Sequence, residues 1–169
     1  MTKEIFLAKL EQTTQQLTEI LLSFPAERFN TKPSETEWSP AQVAEHLLKV
    51  DLSTGKAISG ETIPTNRPPD EKIGIIKHAM DDDSTRRIAP ERVSPSGEHW
   101  EPSAIVQQLK KQKAFLSEAI LGANITEACT SFKHPALGTM TKMEWVAFNV
   151  HHTERHLRQL KNLQKKVAF

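Results

Sequence analysis

Three histidines stand where helical spacing turns them toward one interior. His152 and His156 lie four apart in HHTERHLRQL, residues 151–160. On a helix they project side by side, about 40° and one turn apart. Their face also carries Trp145, Phe148, Gln159, Leu160 and Leu163. His46 lies on the apolar stripe of a separate segment, with Val43, Leu47 and Val50. A neutral imidazole has one donor and one acceptor to satisfy, and burying it without partners is costly. Two adjacent imidazoles repel if charged and match poorly if neutral. Two readings stay open at this point. Each ring finds a glutamine, glutamate or carbonyl in the core, or a divalent metal takes a lone pair from each and needs them neutral. With His46 as a third ligand, one or two metal positions remain open, as in a catalytic site rather than a closed structural one.

The other candidates read differently. His151 sits about 100° round from His152 and is expected at the border of the stripe or facing solvent. His78 and His99 fall in an irregular connection and read as surface residues. His134 precedes a proline, so its backbone is extended, and it reads as a loop residue near the mouth of the last helix. Glu45 and Glu154 flank the candidate ligands, yet helical spacing turns both away. Cys129, the single cysteine, has no basic cluster to activate it and reads as an inert thiol.

Positioning the three histidines requires long helices. Residues 3 to 24 carry Phe6, Leu10, Leu17, Leu21 and Phe24 at helical period, and Pro25 ends the run. FNTKPSETEW follows as a loop. SPAQ, residues 39–42, opens a second helix with Ser39 as cap, Pro40 in the first turn and Gln42 completing a capping box. A third runs from about Ser103 to Leu121, with Ile105, Leu109, Leu116 and Ile120 inward. The fourth begins at TKME, where Thr141 and Glu144 make a second capping box. Between the second and third, GETIPTNRPP and IAPERVSPSG are irregular, and DEKIGIIKHAM between them forms a short helix or turn. This connection is long for a bundle loop, and such loops often cover a site. The expectation is an all-α four-helix bundle, one domain over residues 1–169. Its long crossover leaves the second and third helices parallel.

Lys and Arg total 22 against 21 Asp and Glu, a formal net charge of +1. No overall basic field exists to hold nucleic acid or an anionic membrane. No apolar run approaches the roughly 18 residues of a membrane span. The amphipathic start MTKEIFLAKLEQTT is unlike a signal peptide, and the lone cysteine suits a reducing compartment, so a cytoplasmic protein is expected. Ile73, Ile75 and Ile76 are apolar residues expected to be exposed, where they would serve a homodimer interface.

Two blocks of this chain resemble a known superfamily. WSPAQVAEHLLKVD, residues 38–51, resembles the first motif of the DinB-like (YfiT-like) metalloenzymes, and HPALGTMTKMEWVAFNVHHTERHLRQL, residues 134–160, resembles their last helix. The resemblance spans the chain from first helix to last. It implies a four-helix bundle with a crossover, and a divalent metal ion, nickel or zinc, held by three histidines. The family's ligands fall on His46, His152 and His156, and its frequent glutamine falls on Gln159. Nothing is carried over onto His151. The implied chemistry is thiol S-transfer with a low-molecular-weight thiol, or hydrolysis of a small-molecule substrate. A non-catalytic metal-binding or interaction module is the alternative. The family name implies no nucleic-acid binding.

Overall fold

The structure, a computed structural model, describes residues 2–85 and 87–167, and the side chains within them except that of Val167. Four long helices make the body: α1 (Lys3–Leu22), α3 (Pro40–Ser59), α5 (Pro102–Gly122) and α6 (Lys142–Val167). Two short ones, α2 (Ala26–Phe29) and α4 (Ile73–Asp81), sit in the connections. No helix of the described residues is long and apolar enough to cross a membrane.

Both expected capping boxes form. Ser39 Oγ accepts from the Gln42 amide at 3.2 Å, while Gln42 Oε1 accepts from the Ser39 amide at 3.1 Å. Thr141 Oγ1 accepts from the Glu144 amide at 3.1 Å, and Glu144 Oε2 accepts from the Thr141 amide at 2.9 Å. Each pair satisfies amides that the first helical turn leaves without partners. The second box does more. Glu144 is fully buried and also takes both guanidinium amines of Arg67 at 2.6 Å and the Lys72 amide at 2.9 Å. The start of α6 thereby anchors the long connection.

Helix directions follow from which ends share a core. Phe6 and Leu10 of α1 pack with Ala57 and Ile58 of α3, Leu116 and Ile120 of α5, and Trp145 and Val146 of α6. A second cluster joins Leu17 and Leu21, Val43 and Leu47, Ile105 and Leu109, and Leu157 and Leu160. The beginning of α1 thus meets the ends of α3 and α5 and the beginning of α6. Helices α3 and α5 run parallel to each other and antiparallel to α1 and α6. That is the crossover expected from the length of the connection. Both α1 and α3 pack against α5 and α6, and α4 lies on α6.

The structure departs from expectation in three places. Although no strand pattern of any length is present, β1 (Thr62–Ile63) and β2 (Ala128–Cys129) pair antiparallel, tying the connection to the α5–α6 linker. Two residues per strand are too few for an alternation to show. Ile76 is fully buried, while Ile75 is 61% exposed, because α4 lays one face on α6. The isoleucine group is therefore split between core and surface rather than forming one exposed patch. His151 is buried at 4% exposure, not at a wet border, and its Nδ1 pairs with Glu154 Oε2 at 2.8 Å.

Candidate metal centre

His46 lies two turns into α3, and His152 and His156 lie midway along α6, at the junction of the two apolar clusters. All three are nearly buried, at 5%, 9% and 8% exposure. Their rings converge. His152 Nε2 stands 3.2 Å from His46 Nε2 and 3.3 Å from His156 Nε2. One nitrogen from each of the three lies within 4.8 Å of the others, the one group of this kind among the described residues.

Two of the rings have their tautomers set from behind. His46 Nδ1 donates to the Val93 carbonyl at 2.8 Å, and His156 Nδ1 donates to Gln159 Oε1 at 2.7 Å. A neutral ring that donates through Nδ1 carries a lone pair on Nε2. Both lone pairs therefore aim at the middle of the cluster. His152 Nδ1 is buried with no hydrogen-bond partner among the described residues. If His152 Nε2 carries a proton, it serves one neighbour only. If it does not, three lone pairs face one another.

Burial keeps these rings neutral. It pushes the pKa of His156 down to about 3, with further repulsion from the His46 charge. Burial also lowers His46, and it lowers His152 well below the ordinary range, with the charges of His156 and His46 adding to the effect. Neutral imidazoles with free lone pairs are the protonation state a metal requires. A tetrahedral ion with bonds of about 2.0–2.1 Å to nitrogen separates its ligands by about 3.3 Å, close to the two short nitrogen contacts. The donor set and its spacing fit a divalent cation.

Aromatic rings enclose the group. The Trp38 ring centre lies 5.0 Å from that of His46 and 6.4 Å from that of His156, and Phe148 stacks on His152 at 5.2 Å. Neither glutamate beside the ligands reaches the cluster. Glu45 accepts from the Lys49 ammonium at 2.7 Å and the Ser96 amide at 2.9 Å, and Glu154 is taken by His151. His78 is exposed, and the His99 side chain is 72% exposed. His134 is a loop residue, but its ring meets Phe148 edge-on at 4.9 Å. Burial pushes the Cys129 thiol up to about 11, which leaves it unreactive at neutral pH.

The residue that spacing did not reveal is Val93. Its contribution is a backbone carbonyl, for which no side-chain signal exists. The only hint was the unusual length of the connection that carries it.

A second polar group is buried nearby. The Lys113 ammonium of α5 contacts Asp51 Oδ1 at 2.9 Å, Asn149 Oδ1 at 2.7 Å and Thr153 Oγ1 at 3.2 Å. Asn149 also donates to Asp51 Oδ1 at 2.8 Å.

A family model of the DinB superfamily matches residues 9–160. The uncharacterized protein YuaE of Bacillus subtilis strain 168 is 28% identical over 145 residues, covering 83% of this chain and 86% of YuaE. Two solved structures share the fold. YfiT from Bacillus subtilis, described as a probable metal-dependent hydrolase with an unusual four-helix bundle topology, is 17% identical with a TM-score of 0.63 over 99% of this chain and 88% of its own. TT2238, described as a four-helix bundle protein, is 19% identical with a TM-score of 0.61 over 95% and 99%. The chain belongs to the DinB superfamily.

Proposed function

We propose that this member of the DinB superfamily is a metal-dependent enzyme. In this reading Nε2 of His46, His152 and His156 holds one divalent ion, nickel or zinc, and presents it to a small-molecule substrate. The observation that carries the reading is the pair of ring nitrogens at 3.2 and 3.3 Å from His152 Nε2, each with its Nδ1 already engaged behind it. Bound there, the ion supplies Lewis acidity and lowers the pKa of a water or thiol toward neutrality.

The chain's own residues prepare that chemistry. Val93 and Gln159 hold two rings in one tautomer, which raises their basicity as ligands. Trp38 and Phe148 fix the ring planes and keep bulk water from the cluster. Hydrolysis agrees with the description of YfiT, and S-transfer with a low-molecular-weight thiol is the other reaction such a centre supports. Two copies of the chain would form a homodimer of such centres in the cytoplasm.

Metal content tests the first step. After reconstitution, elemental analysis is expected to find about one equivalent in the wild type and less than about a tenth in His156→Ala. Equal uptake by the two proteins would refute the site. Turnover then separates the chemistries: ester cleavage without thiol marks a hydrolase, and electrophile consumption that requires thiol marks a transferase. Silence on both would leave a metal-binding module.

A further inference from the structure

Beside the histidine cluster stands a group of hydrogen-bond donors that no acceptor among the described residues meets. Arg92 precedes Val93, whose carbonyl orients His46. Its guanidinium lies over the Phe132 ring, 3.9 Å from the centre, and among the described residues it makes no hydrogen bond or ion pair. Arg92 is an exposed residue, but its guanidinium rests against the ring, and the desolvation of that contact lowers its pKa.

His134 is held by its own turn. Its backbone pairs with Gly138 in both directions, at 2.9 and 2.8 Å, closing a tight turn that Gly138 permits with a φ of +65°. Within that turn the His134 Nδ1 accepts from the amides of Ala136 and Leu137, both at 3.2 Å. A neutral ring that accepts at Nδ1 carries its proton on Nε2. That N–H has no partner among the described residues, and the nitrogen is not fully buried. His134 also lies close enough to Arg92 and Lys72 to feel both positive charges.

The adjoining ring gives a third orphan. Trp145 packs against Phe132 at 5.4 Å and His134 at 5.8 Å, and its buried indole N–H has no acceptor among the described residues. The group shares a wall with the histidine centre, because Phe148 contacts His134 at 4.9 Å and His152 at 5.2 Å.

We propose that Arg92 and His134 form a subsite for the anionic group of the substrate, a carboxylate or a phosphate, next to the three-histidine centre. Both are donors without acceptors, and an anion is an acceptor without donors. Calling the ligand a substrate rests on the metal-dependent reading above; the anion site itself does not. The bound anion would place the remainder of the molecule along Phe148, toward the ring nitrogens.

The test uses metal-free full-length protein titrated with benzoate, phenyl phosphate and neutral benzamide, followed by calorimetry and by the His134 ring nitrogen shifts. At least one anion is expected to bind about tenfold or more tightly than benzamide and to move the His134 Nε2 resonance. The tighter of the two identifies carboxylate or phosphate. Arg92→Met, which keeps an apolar stem on Phe132, is expected to weaken the anion about tenfold and leave benzamide unchanged. His134→Phe, which keeps the ring, should do likewise, and both variants should still take up metal. Equal binding of anions and benzamide, or undiminished anion binding in either folded variant, would overturn the subsite. Anion selectivity in a protein that takes up no metal would instead remove the metal-dependent reading and leave this site standing.

Discussion

Two buried polar groups occupy neighbouring turns of α3 and α6, and they differ in what completes them. In the first, the Lys113 ammonium spends its three protons on Asp51, Asn149 and Thr153. Opposite charges meet, and although burial pushes the Asp51 carboxyl up and Asp51 Oδ2 lacks a partner among the described residues, the cation is fully answered from within the chain. In the second, three neutral imidazoles turn their Nε2 atoms toward one another and leave lone pairs unshared. The first group is finished by folding. The second is finished only by a guest that accepts electron pairs. Burial and polarity are alike in the two, so neither marks a site. The direction in which the unsatisfied capacity points does.

Breaking the closed group has the largest expected effect. Asp51→Ala strands a buried ammonium and should cost about 3–5 kcal/mol in denaturant unfolding, whereas Asp51→Leu with Lys113→Met should recover most of that loss. Uptake of metal per folded molecule should not change. If Asp51→Ala lost metal without losing stability, the two groups would not be distinct in role.

The open group is expected to respond to metal instead. At free metal about a hundredfold above the dissociation constant, wild-type unfolding should be shifted by about 2.7 kcal/mol, and His152→Ala should show no shift. A matching shift in that variant would place the ion elsewhere.

Acid discriminates on a smaller scale. The folded-state pKa of His156 is depressed to about 3, so below the unfolded value of about 6.5 only the unfolded chain takes the proton. Stability from keeping this ring neutral is complete above about pH 6.5 and is lost as pH falls toward 3. Between pH 7 and pH 5, metal-free wild type should lose about 2 kcal/mol more than metal-free His156→Ala. Parallel pH profiles would mean that His156 is not held neutral.

The gentlest change is Gln159→Ala, which removes the acceptor behind His156. Metal affinity should fall about tenfold, and the fold should stay intact. An unchanged affinity would show that Gln159 only packs.

Much of this architecture was legible in the residues. Ser39 with Gln42 and Thr141 with Glu144 announced two helix starts, and both capping boxes form. The stripes of α1, α5 and α6 named their buried faces, because helical period and burial are two views of one geometry. The placement of His151 failed because α6 is covered on several sides: α4 lies on it along with α1 and α3, so its dry face is wider than one stripe. Ile76 went inward for the same reason.

Local spacing determined that His152 and His156 stand side by side, since a helix repeats every 3.6 residues whatever surrounds it. It also determined that Glu45 and Glu154 turn away. Only tertiary packing decided that His46, 106 positions from His152, meets it at 3.2 Å, that a carbonyl from the long connection orients its ring, and that Arg92 and His134 come to rest beside the same wall. Those contacts join segments whose separation along the chain carries no periodic trace, so they exist only once the helices have packed.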